Sequence, residues 1–128
     1  MTIDFTVLTA QQYALEGRIR EWIDAYLQSG GERANTGLLS AIQKRQGYWI
    51  GPAEIATDKL HRFYSPDPVR VAGFVQSMKH PLLVPPIIAR YVRGKLDVTD
   101  GNHRHKAFQE KHWQTCWALI ELGTEGEG

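Results

Sequence analysis

The chain has 128 residues, 42% of them hydrophobic and 23% charged, with a formal net charge of +1. This length predicts one domain with its own hydrophobic core, and the balanced charge gives no reason to expect strong nonspecific binding to nucleic acids. No apolar run approaches the roughly 20 residues that span a bilayer, and the first nine residues lack the pattern of a signal peptide. We therefore expect a cytoplasmic protein with no membrane partner.

Residues 1–47 are predicted to form a helical N-terminal extension. Apolar residues recur at three- and four-residue spacing over 9–28, which is typical of one amphipathic helix, and Ser29-Gly30-Gly31 ends it. A short second helix is predicted over 38–46. The apolar stripe of the first helix includes Leu15, Trp22 and Tyr26. This stripe predicts packing against the chain's own sheet, and a homodimer interface is the alternative.

After Gly47 the chain is predicted to alternate short strands and helices. Aromatic and β-branched runs favour strands, and glycine and proline separate the elements. The predicted elements are a strand over 48–50 closed by Gly51-Pro52, a helical turn over 53–59, an extended segment over 60–64, a helix from Asp67-Pro68 to His80-Pro81, a strand over 87–92, a hairpin turn over 93–95, a strand over 96–99, a helix over 103–112, a strand over 115–122 and a flexible tail over 123–128. This order predicts an α+β domain over 48–122, in which a small mixed β-sheet packs on helices.

The segment Asp100-Gly101-Asn102-His103-Arg104 concentrates polar chemistry between a predicted strand and a predicted helix. Glycine permits a sharp turn, and the first turn of a helix presents unpaired N–H groups and a positive dipole end that suit a phosphate. His103 and Arg104 add side-chain donors, and His103 is also a candidate general acid–base. Asp100 is expected to cap the helix or bind loop amides, with a Mg²⁺ ligand as the alternative.

Other polar residues carry weaker signals. We expect His61 and Arg62 to lie either at an exposed strand edge or at the rim of a pocket. The single cysteine, Cys116, excludes an internal disulfide bond and is predicted to be a buried, inert thiol. A cluster of hairpin charges predicts a solvated face, with a nucleic-acid contact as the alternative. These charges are Arg90, Arg93 and Lys95.

From about residue 48 to residue 122, a little over half of the chain, the sequence resembles the ParB/sulfiredoxin superfamily. The central feature is Gly101-Asn102-His103-Arg104, which is similar to the family's Gly-x-x-Arg signature. The other similar segments are Pro85-Pro86-Ile87-Ile88, the closing strand after Thr115, Leu60-His61-Arg62 and Asp67-Pro68-Val69-Arg70-Val71.

The resemblance implies a pocket for the phosphates of ATP, ADP or CTP, with Mg²⁺ as a bridging ion. It implies that Gly101 permits close backbone approach, that Asn102 and His103 donate hydrogen bonds, and that Arg104 clamps a phosphate. Arg70 falls where sulfiredoxins carry a phosphate-binding lysine, and arginine there favours a bidentate grip.

The sequence also departs from the family. Asn102 stands where sulfiredoxins carry their loop cysteine, so a sulfinic-acid reductase is not expected. Proteins of the ParB type carry a helix-turn-helix DNA reader after this domain, and we expect this chain to act without one. Free-serine kinases of the superfamily use a glutamate as base, and Glu54 is the candidate for that catalytic role.

Three functions follow from these observations. The leading one is a stand-alone nucleotide-binding domain that binds, hydrolyses or transfers phosphate. The second is a DNA-binding or nuclease accessory protein of the plasmid or chromosome partition type. The third is a non-catalytic partner module, in which the pocket is vestigial or senses a nucleotide.

Overall fold

A computed structural model describes residues 3–29, 31 and 36–123 of the chain. The helices in these residues are α1 (Val7–Leu15), α2 (Ile19–Gln28), α3 (Thr36–Arg45), α4 (Pro68–Ser77) and α5 (Asn102–Glu110). The strands are β1 (Tyr48–Ala56), β2 (Leu60–His61), β3 (Ile87–Val92), β4 (Lys95–Asp100) and β5 (Thr115–Leu122). No helix of the described ranges is long and apolar enough to cross a membrane. The predicted tail lies outside the described residues after Gly123.

The strands form one mixed sheet, as the sequence predicted, and their order in it is β1-β5-β3-β4-β2. β3 is antiparallel to β4 and parallel to β5, while β1 is antiparallel to β5 and β2 is parallel to β4. The hairpin turn between β3 and β4 has positive φ angles at Arg93 (52°) and Gly94 (81°). Two positive φ angles suit the twist of a tight two-residue hairpin.

Alternate side chains of a strand point to opposite faces of the sheet, and helices cover both faces. On one face Ile87 and Ala89 of β3 share a core with residues of α4 and α5, such as Val71 and Phe108. On the other face Ile88 shares a second core with α2 and α3.

The second core explains what the first helices do. Trp22 and Tyr26 of α2 are buried, with 0% and 3% of their surface exposed, whereas Leu15 is 84% exposed. The predicted packing of the stripe on the chain's own sheet is therefore confirmed for Trp22 and Tyr26, but not for Leu15.

The prediction of one helix over 9–28 is wrong, because the helix breaks between Leu15 and Ile19. Gly17 adopts a left-handed φ of +72°, which glycine tolerates better than other residues. The first helix also begins earlier than predicted, since Thr6 and Thr9 form a reciprocal capping box at its start.

The prediction that Gly51-Pro52 closes the first strand is also wrong. The register shifts between Ile50 and Ala53, and the strand then continues to Ala56. Gly51 has a φ of +111°, and a Cβ there would lie 2.6 Å from the carbonyl oxygen of Ala118. The bulge therefore depends on glycine, and only 57–59 of the predicted helical turn is helical, as a short 3-10 turn.

The remaining boundaries differ by a few residues. Asp67 caps α4 as predicted, since its carboxylate accepts a hydrogen bond from the Val69 N–H at 3.0 Å. α4 ends at Ser77, and α5 ends at Glu110 rather than at residue 112.

Candidate functional site

Gly101 forms the turn that connects β4 to α5. It has a φ of +112° and occupies the N-cap position of α5, without a side-chain cap. A Cβ at this position would lie 2.6 Å from Ile87 Cδ1 and 2.9 Å from Arg104 Nη2. The close backbone approach of a ligand at Gly101, which the resemblance implied, remains a prediction; the structure shows that this glycine makes room for the Ile87 and Arg104 side chains.

Arg104 lies beneath this turn, with 2% of its surface exposed. Its Nη2 donates a hydrogen bond to the Pro86 carbonyl oxygen at 3.0 Å and lies 3.5 Å from Asp100 Oδ2. Its guanidinium also lies 5.9 Å from the centre of the Tyr26 ring. These contacts connect the start of α5 to the start of β3 and to α2, so Arg104 stabilises the turn from inside.

Asp100 is also an internal residue, 5% exposed. Its Oδ2 accepts a hydrogen bond from the Tyr26 hydroxyl at 2.9 Å, and a Cβ on Gly31 would lie 2.9 Å from its Oδ1. The prediction that Asp100 caps α5 is wrong, because Gly101 takes the cap position and the carboxylate points towards α2.

The surroundings of Asp100 do not suit Mg²⁺. This ion prefers several oxygen ligands in an octahedral arrangement. Among the residues that the structure describes, no group of three or more His, Cys, Asp or Glu residues could hold a metal ion. With Arg104 as its positive neighbour, Asp100 does not fit the predicted role of metal ligand.

His103 and Arg70 lie on the two helices that pack against each other beside the turn. His103 is the second residue of α5 and is 4% exposed, and Arg70 is a half-buried residue in the first turn of α4. Their predicted contacts with a phosphate, and the acid–base role of His103, remain predictions.

A cavity of about 380 Å³ lies in front of α5. Its polar and aromatic lining consists of Phe63, Tyr64, Arg90, Asp97, Thr99 and Asn102. Asn102 is the first residue of α5, so the N-terminal turn of this helix meets the cavity. Leu38 of α3 also lines it, which brings the N-terminal extension to the site.

Asp97 is a cavity residue that the sequence analysis missed. It pairs in register with His61 of β2 and with Arg90 of β3, and the His61 Nδ1 atom lies 3.5 Å from Asp97 Oδ1. A signal was available, because polar Asp97 and Thr99 alternate with apolar neighbours in a strand and must share a face.

Arg62 and His105 form a hydrogen-bonded pair next to this cavity. Arg62 Nη1 lies 2.6 Å from His105 Nδ1, and His105 Nε2 lies 2.7 Å from the Thr57 carbonyl oxygen. Since a carbonyl only accepts, Nε2 carries the proton and Nδ1 accepts from the arginine. Burial, helped by the Arg62 charge, lowers the pKa of His105 below its usual 6.5, although its bond to Thr57 opposes this.

This burial predicts a pH dependence of stability. Below about pH 6.5 the unfolded chain protonates His105 more readily than the folded chain does, so the free energy of unfolding falls as the pH drops. We expect the urea midpoint to decrease between pH 7.5 and pH 5.5, and to decrease less in His105→Gln. His112 is exposed, so His112→Asn is the control and should retain the full decrease. An equal decrease in His105→Gln would contradict the prediction.

Glu54 does not come near the turn. It is exposed on β1 and accepts a hydrogen bond from the Thr115 hydroxyl at 2.8 Å. β5 and β3 separate β1 from β4 in the sheet, which at the usual strand spacing places Glu54 about 14 Å from the strand that carries Asp100. This position does not support its predicted role as catalytic base.

Cys116 is buried in the first core, as predicted, with 1% of its surface exposed. Burial raises the pKa of its thiol to about 11, against a smaller opposing effect of a hydrogen bond with Thr57. A thiol with this pKa remains protonated at neutral pH, so it is a poor nucleophile.

No protein-family model matches the chain. No curated protein matches it either. Among solved structures it is similar to sulfiredoxin from Arabidopsis thaliana, with a TM-score of 0.49 and 25% identity over 62% of this chain and 90% of that one. It is also similar to a free serine kinase in complex with AMP (TM-score 0.46, 18% identity, 53% of this chain and 30% of that one).

A third similar structure is the C-terminally truncated chromosome-partitioning protein ParB from Caulobacter crescentus, complexed with CTP-gamma-S (TM-score 0.49, 16% identity, 63% of this chain and 48% of that one). The chain thus spans less than half of the kinase and ParB structures. A sulfiredoxin and a ParB protein, the two kinds of protein named in the sequence resemblance, are thus both among these similar structures.

Proposed function

We propose that this chain binds a nucleoside phosphate, such as ATP, ADP or CTP, in the cavity in front of α5. The observation that carries the proposal is the junction of the N-terminal turn of α5 with this cavity through Asn102. A helix N-terminus attracts phosphate through its N–H groups and its positive dipole end. The motif 101–104, recognised independently from the sequence, lies at this junction.

The cavity lining suits both the phosphates and the base of such a ligand. Arg90 provides a positive charge, and Thr99 and Asn102 provide polar groups, all of which suit a phosphate. Phe63 and Tyr64 are 63% and 73% exposed at the cavity, so their rings can stack on a base.

Binding rather than turnover is the proposed activity. Glu54 lies on β1, which β5 separates from the cavity strand β3, His103 is buried, and Asp100 is occupied by Tyr26 and Arg104. Hydrolysis or transfer of the phosphate, a nuclease activity and a DNA partner have no comparable support in these contacts.

Asn102→Asp is the variant that tests the site. It keeps the size of the side chain and adds a negative charge at the first residue of α5, which favours the helix but repels a phosphate. The assay is thermal unfolding with ATP, ADP, CTP and GTP, each with and without Mg²⁺. A ligand at one hundred times its dissociation constant raises the free energy of unfolding by about 2.7 kcal/mol, which shifts the melting temperature by several degrees.

We expect at least one nucleotide to stabilise the wild-type chain and to lose this effect in Asn102→Asp. Gln76→Glu adds the same charge at an exposed position of α4 and should bind like the wild type. No shift at millimolar nucleotide would refute the proposal. A shift with short DNA alone, steeply dependent on salt, would favour the DNA-binding alternative.

A further inference from the structure

A second cavity, of about 400 Å³, lies beside the first. Phe63 and Tyr64 line both cavities. The polar residues of the second cavity are His61, Arg62, Ser65, His105 and Gln109. Most of these groups can donate hydrogen bonds, and one of them is an arginine.

The charge of Arg62 has no direct acidic partner. Its Nη1 donates to two neutral acceptors, His105 Nδ1 at 2.6 Å and Gln109 Oε1 at 2.8 Å. Within the described part of the chain, no carboxylate forms an ion pair with it; Asp58 reaches it only through the Gln109 amide, whose Nε2 lies 3.1 Å from Asp58 Oδ1. A half-buried cation that is held in place without a counter-ion favours an anionic ligand.

The geometry of Arg62 leaves one of its N–H groups available to donate a hydrogen bond to that anionic ligand. His105 and Gln109 fix one edge of the guanidinium through Nη1. Nη2 makes no hydrogen bond among the described residues and, in contrast to Nε, is not buried. The fixed neutral form of His105 matters here, because its unprotonated Nδ1 holds the arginine without adding charge.

We infer that the second cavity is an oxyanion subsite, in which Arg62 Nη2 donates to a phosphate or carboxylate group, together with the Ser65 hydroxyl and the His61 ring. The inference extends the proposed nucleotide site, since the two cavities meet at Phe63 and Tyr64. The oxyanion has two possible sources: the terminal phosphates of the nucleotide, or the anionic group of a second small molecule that binds next to it.

Titration calorimetry with AMP, ADP, ATP and inorganic phosphate separates these sources. If the nucleotide supplies the oxyanion, affinity rises from AMP to ATP in the wild type. Arg62→Gln should then reduce this increase in affinity at least tenfold. If a second molecule supplies it, inorganic phosphate binds in the presence of saturating AMP and Arg62→Gln weakens that binding at least tenfold. Arg93→Gln removes the same charge from the exposed hairpin and should bind like the wild type.

A second variant separates charge from packing. Arg62→Lys keeps a positive charge on a long side chain but loses the packing of the guanidinium, so it should retain more of the oxyanion affinity than Arg62→Gln. Wild-type affinities in Arg62→Gln, or the same loss in Arg62→Lys as in Arg62→Gln, would overturn the inference and leave the nucleotide site intact. Phosphate binding that depends on Arg62 in a chain that binds none of AMP, ADP, ATP, CTP and GTP would instead refute the nucleotide proposal and support the subsite.

Discussion

Replacement of Arg104 by methionine is expected to lower the free energy of unfolding by about 3–5 kcal/mol, the usual cost of removing one partner from a buried ion pair. Arg104 and Asp100 have 2% and 4% of their side chains exposed, and the guanidinium also holds the Pro86 carbonyl. The variant leaves the Asp100 carboxylate buried without this positive neighbour. Urea denaturation at pH 7.5 measures the change.

Two further variants test whether the buried charge pair is the cause of this loss of stability. Arg93→Met removes an arginine from the exposed hairpin and should leave the urea midpoint almost unchanged. Asp100→Asn, added to Arg104→Met, removes the buried carboxylate charge that has lost the Arg104 guanidinium and should restore part of the lost stability. A change below about 1 kcal/mol in Arg104→Met would show that the pair contributes less than a buried ion pair normally does.

This result also decides how the nucleotide site is tested. The sequence alone favours Arg104 as a phosphate clamp, for which replacement by alanine is the usual test. Because Arg104 also stabilises the turn, a loss of binding in that variant would have two explanations. Asn102 lines the cavity without these internal contacts, so its substitution gives the clearer answer.

Replacement of Arg45 by methionine is expected to lower the free energy of unfolding by about 3 kcal/mol. Arg45 of α3 donates through Nε and Nη2 to the carboxylate of Glu121 on β5, at 2.9 and 2.6 Å. Glu121 is 1% exposed, whereas Arg45 is 23% exposed, which places the effect at the lower end of the usual range. Urea denaturation again measures the change.

The matched control is a surface ion pair of similar geometry. Arg18 contacts Glu16 at 2.9 Å and Glu21 at 3.0 Å, but all three side chains are largely exposed. Water and salt screen such pairs, so Arg18→Met should change stability little. Equal effects of Arg18→Met and Arg45→Met would contradict the argument that burial of Glu121 determines the loss.

Most of the fold could be predicted from local sequence. β3, the hairpin at Arg93-Gly94, β5 and the cap at Asp67 were predicted because turn residues, β-branched runs and capping residues act within a few positions. The errors at Gly17 and Gly51 share one cause. Whether a glycine ends an element, breaks it or forms a bulge depends on which partner the backbone meets, such as the Ala118 carbonyl opposite Gly51.

The sequence by itself determined the turn 100–104, the helix that follows it and the chemistry suited to phosphate, because these features depend on neighbouring residues. Only the tertiary structure decided which of these side chains face outwards. Tyr26 and Gly31 come from the N-terminal extension and enclose Asp100, while Asp97 lines the first cavity from β4 and Arg62 lines the second from the segment after β2. Burial and ion pairing arise from residues far apart in the chain, so no local pattern specifies them.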